Sequence, residues 1–323
     1  MVTANLTKMV LLAACAAFAI QATAQPSLYP NKPLRMLVAF PPGSVSDTLA
    51  RALAGPLGAS LGQPVVVENK PGADGMIAAE QVAKSAPDGH TLFITSSSVL
   101  TANPHLKKRV PYALTDFSPI AKLGVYTFVL TVHPSVGATT LQELFNYGRA
   151  NPDKLSYATG NITGFLVTAQ LAALGKVSMV QVPYKGETLA MPDLLAGRVQ
   201  LMLGTVGVLA PQVKEGKLRA LAVLGSRRST LLPEVPTFAE EGLPRFPVTP
   251  SAGVFGPARL PIEIVERLNR EINAILRRSD VREQYERQAF EIDTSTPEEL
   301  GTFMRNQYDA WGRAVRDAGI KPE

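Results

Sequence analysis

Three short stretches place hydroxyl, amide and glycine residues directly after apolar runs. Ser44, Ser46 and Asp47 follow Leu34 to Phe40 across the break Pro41-Pro42-Gly43, and Ser96, Ser97 and Ser98 follow Thr91 to Thr95. Thr159 to Gly164, with Asn161 and Thr163, follows Ser156 to Ala158. An apolar run, a polar or glycine-bearing break and a helix start are the parts of a strand, loop, helix unit. Its loop exposes unsatisfied backbone N–H groups at the positive end of the helix dipole. The chemistry open to such a loop is capture of an anion, most simply a carboxylate. Ser46 or Asp47 is also expected to cap its own helix, which is compatible with ligand binding.

Side chains for covalent or metal chemistry lack the necessary spacing. The histidines are His90, His105 and His133, scattered over turns, with no HExxH or other metal-ligand pattern and no convincing Ser-His-acid triad. Neither GxxxxGK[ST] nor GxGxxG is present. The sequence therefore predicts a binding protein without catalytic residues, cofactor or metal. A formal charge of +5 suits a small anionic ligand, but no basic cluster with interleaved aromatics marks a nucleic-acid surface. The run Lys107-Lys108-Arg109 reads as a solvated loop.

The elements that must position these loops alternate strand and helix. After the opening unit come a strand Val65 to Glu68, a glycine-rich turn Asn69 to Gly75, a helix Met76 to Lys84 and the strand Thr91 to Thr95. In an open parallel sheet such strand ends share one edge, where ligands bind. Pro104 to Pro119 reads as irregular, and Ile120 to Leu123 and Thr127 to Val132 as strands crossing into a second lobe. There a helix starts near Thr139 to Glu143, a strand Ser156 to Ala158 leads into a helix Phe165 to Leu174, and further units follow to the strand Leu218 to Leu224. A strand within Phe246 to Phe255 returns the chain to the first lobe. Amphipathic helices Pro261 to Arg278 and Pro297 to Ala318 then complete it. The fold class is α/β in two lobes, with residues 25–124 and 250–323 forming a discontinuous first lobe, 125–249 the second, and two strand crossings acting as a hinge.

Lys8, the apolar run Met9 to Ile20 and Ala22-Thr23-Ala24 have the form of a cleavable secretory leader over residues 1–24. That places the mature chain in the periplasm. Leu12-Ala13-Ala14-Cys15 resembles a lipoprotein box, a minority alternative given how short the preceding apolar segment is. Cys15 is the single cysteine, so the mature chain has no disulfide and depends on its core. With 323 residues and 46% hydrophobic content, the chain can build one large core or two medium ones.

Several motifs then occur in register. They are Tyr29-Pro30-x-Lys32-Pro33, Pro41-Pro42-Gly43-Ser44-Val45-Ser46-Asp47 with Ala50-Arg51, Val67 to Ala73, Ala86 to Leu92, Val182 to Gly186, Asp193 to Gly197, Gly216 to Ala222 and Pro233 to Thr237. Together they resemble the extracytoplasmic substrate-binding proteins of tripartite tricarboxylate transporters, the TctC or Bug family, along essentially the whole mature chain. The resemblance implies a monomeric, two-lobed periplasmic-binding-protein fold, type II-like, with a central cleft and a two-strand hinge. It would close over a small organic carboxylate and deliver it to the membrane permease subunits of such a transporter. An alternative partner for the closed form is a signalling protein. Carried over residue by residue, the ligand-binding positions are Phe40, Gly43, Ser44, Asp47, Ser96, Ser97, Ser98, Gly160, Asn161, Thr163, Tyr184, Lys185, Asp193 and Thr205.

The chain departs from the family pattern at Ser44, where a second glycine is usual, and at Ile162, Phe165 and Leu166, where glycine and often histidine occur. Gly204 stands where an acidic residue commonly ends the strand. These departures predict a pocket that is more apolar and less acidic than in amino-acid binders of the family. They favour an aliphatic or aromatic carboxylate over a zwitterion.

Overall fold

A computed structural model describes residues 29–243, 246 and 248–322 of the chain. The leader expected over 1–24, Cys15 included, lies outside the described residues.

Strand β1 (Leu34–Val38) is almost wholly buried, as an uninterrupted apolar run in a parallel sheet should be. It breaks at the prolines and restarts as helix α1 (Val45–Leu61). The cap is Ser44, earlier than the expected Ser46 or Asp47: its Oγ accepts from Asp47 N at 3.3 Å. Strand β2 (Val65–Asn69), helix α2 (Met76–Ala83), strand β3 (Thr91–Ser96) and the short helices α3 (Ser97–Thr101) and α4 (Asn103–Leu106) follow. β1 lies between β2 and β3, parallel to both. The serines after β3 thus open a helical turn, and the segment expected to be irregular from Pro104 holds part of α4 and the start of β4 (Phe117–Tyr126). Pro119 is accommodated within β4 next to a register shift against β10.

Only Thr127 separates β4 from β5 (Phe128–Val132), the first strand of a second sheet. Helix α5 (Leu141–Ala150), β6 (Ser156–Thr159), α6 (Ile162–Gly175), β7 (Val180–Pro183), α7 (Glu187–Leu195), β8 (Leu201–Thr205), α8 (Val206–Lys214) and β9 (Arg219–Leu224) build it in the order β7-β6-β8-β5-β9. α6 starts three residues before the expected Phe165, because Asn161 Oδ1 accepts from Gly164 N and caps the helix there. After residues 225–250 the chain re-enters the first sheet as β10 (Ser251–Pro257), antiparallel to both of its neighbours, β3 and β4. Helix α9 (Ile262–Leu276), α10 (Ser279–Glu286), β11 (Phe290–Ile292) and α11 (Pro297–Asp317) complete that lobe, whose strand order is β11-β4-β10-β3-β1-β2. α10 and β11 carry little sequence signal: α10 buries only Val281 and Tyr285, and β11 has three residues.

The two passages between sheets lie side by side, with Tyr126 N donating to Pro250 O at 2.9 Å. α9 buries Val265, Leu268, Ile272 and Ile275 as its periodicity predicts, with Ile264 half-buried at the margin. Trp311 of α11 is fully buried with Ala102, Leu106 and Val315, in a cluster that also takes in Ile162 and Leu166 of α6. The lobes therefore touch through apolar side chains beside the cleft, each buried leucine or isoleucine contributing on the order of 1.5–3 kcal/mol. Among the described residues no helix is long and apolar enough to cross a membrane.

Candidate functional site

The carboxyl ends of β1 and β3 meet those of β6 and β8 across a cavity with about 400 Å³ of empty space. Its first-lobe wall is Phe40, Ser44, Val45, Ser46 and Ser96, and its second-lobe wall is Gly160, Asn161, Thr163, Glu187 and Thr205. Tyr126 and Phe128, either side of the first crossing, form the floor. Ser44 has φ −68°, so the glycine usual in the family is not needed for the backbone there. Gly43 does need its freedom, at φ +77°.

The hydroxyl groups are linked to one another. Ser46 Oγ and Tyr126 Oη lie 2.6 Å apart, and Ser96 Oγ and Ser98 Oγ 2.9 Å apart. Burial pushes the ionisation of Tyr126 well above the ordinary phenol range, so it remains a neutral donor and acceptor. No lysine, arginine or histidine is among the residues lining the cavity.

Its single acidic side chain is Glu187, buried at 7% exposure. Oε1 accepts from Asn161 Nδ2 at 2.6 Å; Oε2 accepts from Thr205 Oγ1 at 2.5 Å and Thr205 N at 3.1 Å. Burial drives the carboxyl above the usual range, opposed by these donors, and no neighbouring cation acts on it. It lies against Gly204, where a Cβ would be in ordinary contact with Glu187 Cδ at 3.4 Å and closer, at 2.9 Å, to Leu209 Cδ1. The cavity thus holds one acidic group, from a position that the sequence does not single out. The end of β8 is bare, but the carboxyl comes from the first turn of α7 instead.

A second chamber, with about 310 Å³ of empty space, adjoins the first at Phe40, Gly160 and Asn161. Ser98, Asp74, Tyr184 and Lys185 line it.

Comparison with known proteins places this geometry. The model of the tripartite tricarboxylate transporter family receptor matches residues 49–320. The chain belongs to that family. Protein BugT of Bordetella pertussis is 36% identical to the receptor over 306 residues, 94% of each chain. A solved Rhodopseudomonas palustris protein with adipate has a TM-score of 0.87 at 30% identity, over 91% of this chain and all of that one. MatC from the same species, with bound malate, has a TM-score of 0.83 at 30% identity, over 89% of this chain and all of that one. The two-lobed fold implied by the sequence motifs is thus present, and the family is one of receptors and not of enzymes.

The sequence expectation that no Gly-x-Ser-x-Gly elbow pattern is present, alongside the lack of a triad, needs correcting. Gly58-Ala59-Ser60-Leu61-Gly62 fits Gly-x-Ser-x-Gly, although the sequence offers no convincing triad. Ser60 lies at the end of α1 and not on a strand-to-helix turn, and its exposed hydroxyl bonds Glu271 with no histidine. It is not a nucleophile elbow.

Of the positions carried over from the family, the receptor brings Phe40, Ser44, Ser96, Gly160, Asn161, Thr163 and Thr205 to the first cavity. Ser98, Tyr184 and Lys185 line the second chamber, with Phe40, Gly160 and Asn161 shared between the two. Gly43, Asp47, Ser97 and Asp193 line neither. Asp47 turns inward: its oxygens accept from Gly43 N, Asn69 Nδ2 and the Arg51 guanidinium. Burial alone would raise its pKa, but these donors together hold it below the usual carboxylate range. Ser97 Oγ accepts from Ser251 N at 3.4 Å, tying α3 to β10. Asp193 accepts from Tyr184 Oη at 2.7 Å and Arg198 at 2.6 Å, which makes it a brace for Tyr184 of the second chamber.

Five cavity residues, Val45, Ser46, Tyr126, Phe128 and Glu187, are not among the positions that the sequence singles out for ligand. Ser46 reads there as a helix cap. Tyr126 and Phe128 stand on either side of the crossing, where apolar residues read as strand. The signal for Glu187 is its place directly after Val182-Pro183-Tyr184-Lys185-Gly186, at a helix start.

Proposed function

We propose that the receptor captures a small organic carboxylate between its lobes in the periplasm and presents the closed form to the membrane subunits of a tripartite tricarboxylate-type transporter. The observation that carries this reading is the convergence of hydroxyl groups and the capped starts of α1 and α6 on one cavity between two sheets. Such a site offers N–H and O–H donors to an oxyanion without a cationic clamp. Adipate and malate in the related structures are ligands of the expected class.

On this reading the lobes divide at Thr127 and within 225–250, and the adjacent crossings flex as a hinge. Ligand docks on one lobe, and closure adds the donors of the other. The ligand favours closure only by as much as it binds the closed form better. Titration calorimetry of the purified protein against mono-, di- and amino-carboxylates tests the ligand class. Saturable one-to-one binding, abolished in Ser44→Leu, supports it; no heat from any carboxylate at millimolar concentration refutes it. Ligand-dependent association with the membrane subunits in detergent tests the transport partner, and equal association with and without ligand would count against it.

A further inference from the structure

Glu187 is a carboxyl group in a ligand cavity without a cation beside it. Leaving a buried acid unpaired costs free energy, whether it stays ionised or takes up a proton. Burial, the larger effect, raises its pKa, and three donors that converge on its two oxygens oppose that shift. Those donors come from the capping residues of α6 and α8, and Glu187 itself is the first residue of α7. The starts of α6 and α8 thereby already supply donors to an internal carboxyl group.

We infer that Glu187 occupies the anion position of the second lobe, so that a bound carboxylate ligand docks on the first lobe and meets Glu187 with an ammonium or comparable cationic donor. The receptor is then selective for small amino acids or amino carboxylates over dicarboxylates. This deepens the proposed solute-capture function and rests on it.

The first lobe keeps what an incoming carboxylate requires. Ser44, at the start of the 17-residue helix α1, and Ser96 line the opposite wall with no acidic side chain among the cavity residues there. A dicarboxylate spanning the cavity would place its second charge against Glu187, a like-charge contact in a water-poor site. An ammonium at that end would complete an ion pair of which the protein supplies one half. The upward pull of burial on the Glu187 pKa fits a group that awaits its partner.

The test uses probes matched in length: 3-aminopropanoate against succinate, and 5-aminopentanoate against adipate, with L-alanine and L-leucine as α-amino acids. Calorimetry at neutral pH on the wild type alone should show an amino carboxylate or α-amino acid bound at least about tenfold more tightly than either diacid. Glu187→Gln keeps the shape and should shift each amino-to-diacid ratio toward the diacid by at least about tenfold, while Glu187→Asp should keep the wild-type sign. A wild type that binds succinate or adipate as tightly as the matched amino acid overturns the inference and leaves solute capture standing. A folded wild type that binds no probe at all overturns solute capture as well. The wild-type ratio needs no variant, so it decides the matter even where Glu187→Gln fails to fold.

Discussion

Asn161 holds two structures at once: its Oδ1 accepts from Gly164 N at 2.6 Å, and its Nδ2 donates to Glu187 Oε1, also at 2.6 Å. One amide therefore starts α6 and fixes the only acidic group of the cavity. Asn161→Asp keeps the cap but sets a second carboxylate against Glu187; Asn161→Ala removes both bonds. The alanine variant should lose about 1 kcal/mol from the cap. The aspartate variant should keep α6 yet bind ligand more weakly. Denaturant unfolding and calorimetry side by side check this, and equal loss of stability and affinity in both variants would contradict it.

Glu187 should make the unliganded protein less stable as pH rises. Its folded-state pKa lies above the ordinary value, so its favourable contribution is complete below the unfolded pKa and is lost as pH rises through the folded value. Each unit of upward shift corresponds to about 1.4 kcal/mol at the high-pH limit. Glu187→Gln has no such dependence and should gain in melting temperature over the wild type across the range of pH from the ordinary glutamate pKa upward. A constant difference between the two across that range is the contrary result.

Ligand affinity should vary with pH in the opposite direction. An ammonium ligand lowers the pKa of Glu187 relative to the free protein, so binding is full above the free-state pKa and weakens as pH falls through it. Besides Glu187 the only titratable group lining the cavity is Tyr126, which burial keeps neutral; Asn161, Thr205 and Ser46 do not titrate. The slope should vanish in Glu187→Gln, and a slope that persists there would assign it to another group.

Gly186 meets Pro41 of the other lobe, and a Cβ at 186 would lie 2.4 Å from Pro41 Cγ. The ring cannot swing away, so Gly186→Ala should hold the lobes apart while each lobe folds normally. Apparent affinity then falls with the population of the closed form, by roughly tenfold or more. Small-angle scattering should show a wider particle with ligand present than the wild type, and an unchanged scattering curve would dismiss the contact as a stop.

Asp47 should serve structure and not ligand, since its oxygens are taken up by Gly43 N, Asn69 Nδ2 and the Arg51 guanidinium. Asp47→Asn should cost about 1–3 kcal/mol of stability, because Gly43 N and the Arg51 guanidinium lose a charged acceptor. Ligand affinity measured well below the melting temperature should stay within a few-fold of wild type. A loss of binding with unchanged stability would restore Asp47 to the site.

The strands, the long helices and the loops that follow β1, β3 and β6 were legible in the sequence. They are set by period, by proline and glycine breaks and by capping residues, all of which act over a few neighbours along the chain. The family resemblance supplied the two-lobed arrangement and seven of the twelve residues that line the first cavity. The short α3, α4 and β11 were not legible, since three to five residues carry too little pattern. The composition of the cavity was not legible either. Gly204 alone reads as the loss of an acid, and Glu187 alone reads as the first residue of a helix. Only the packing of α7 against the bare end of β8 brings that carboxyl into the space at 204, 17 residues along the chain. The charge of a binding site depends on which side chains share one small volume. Local sequence fixes where a helix starts, but the tertiary fold alone fixes what its first side chain meets.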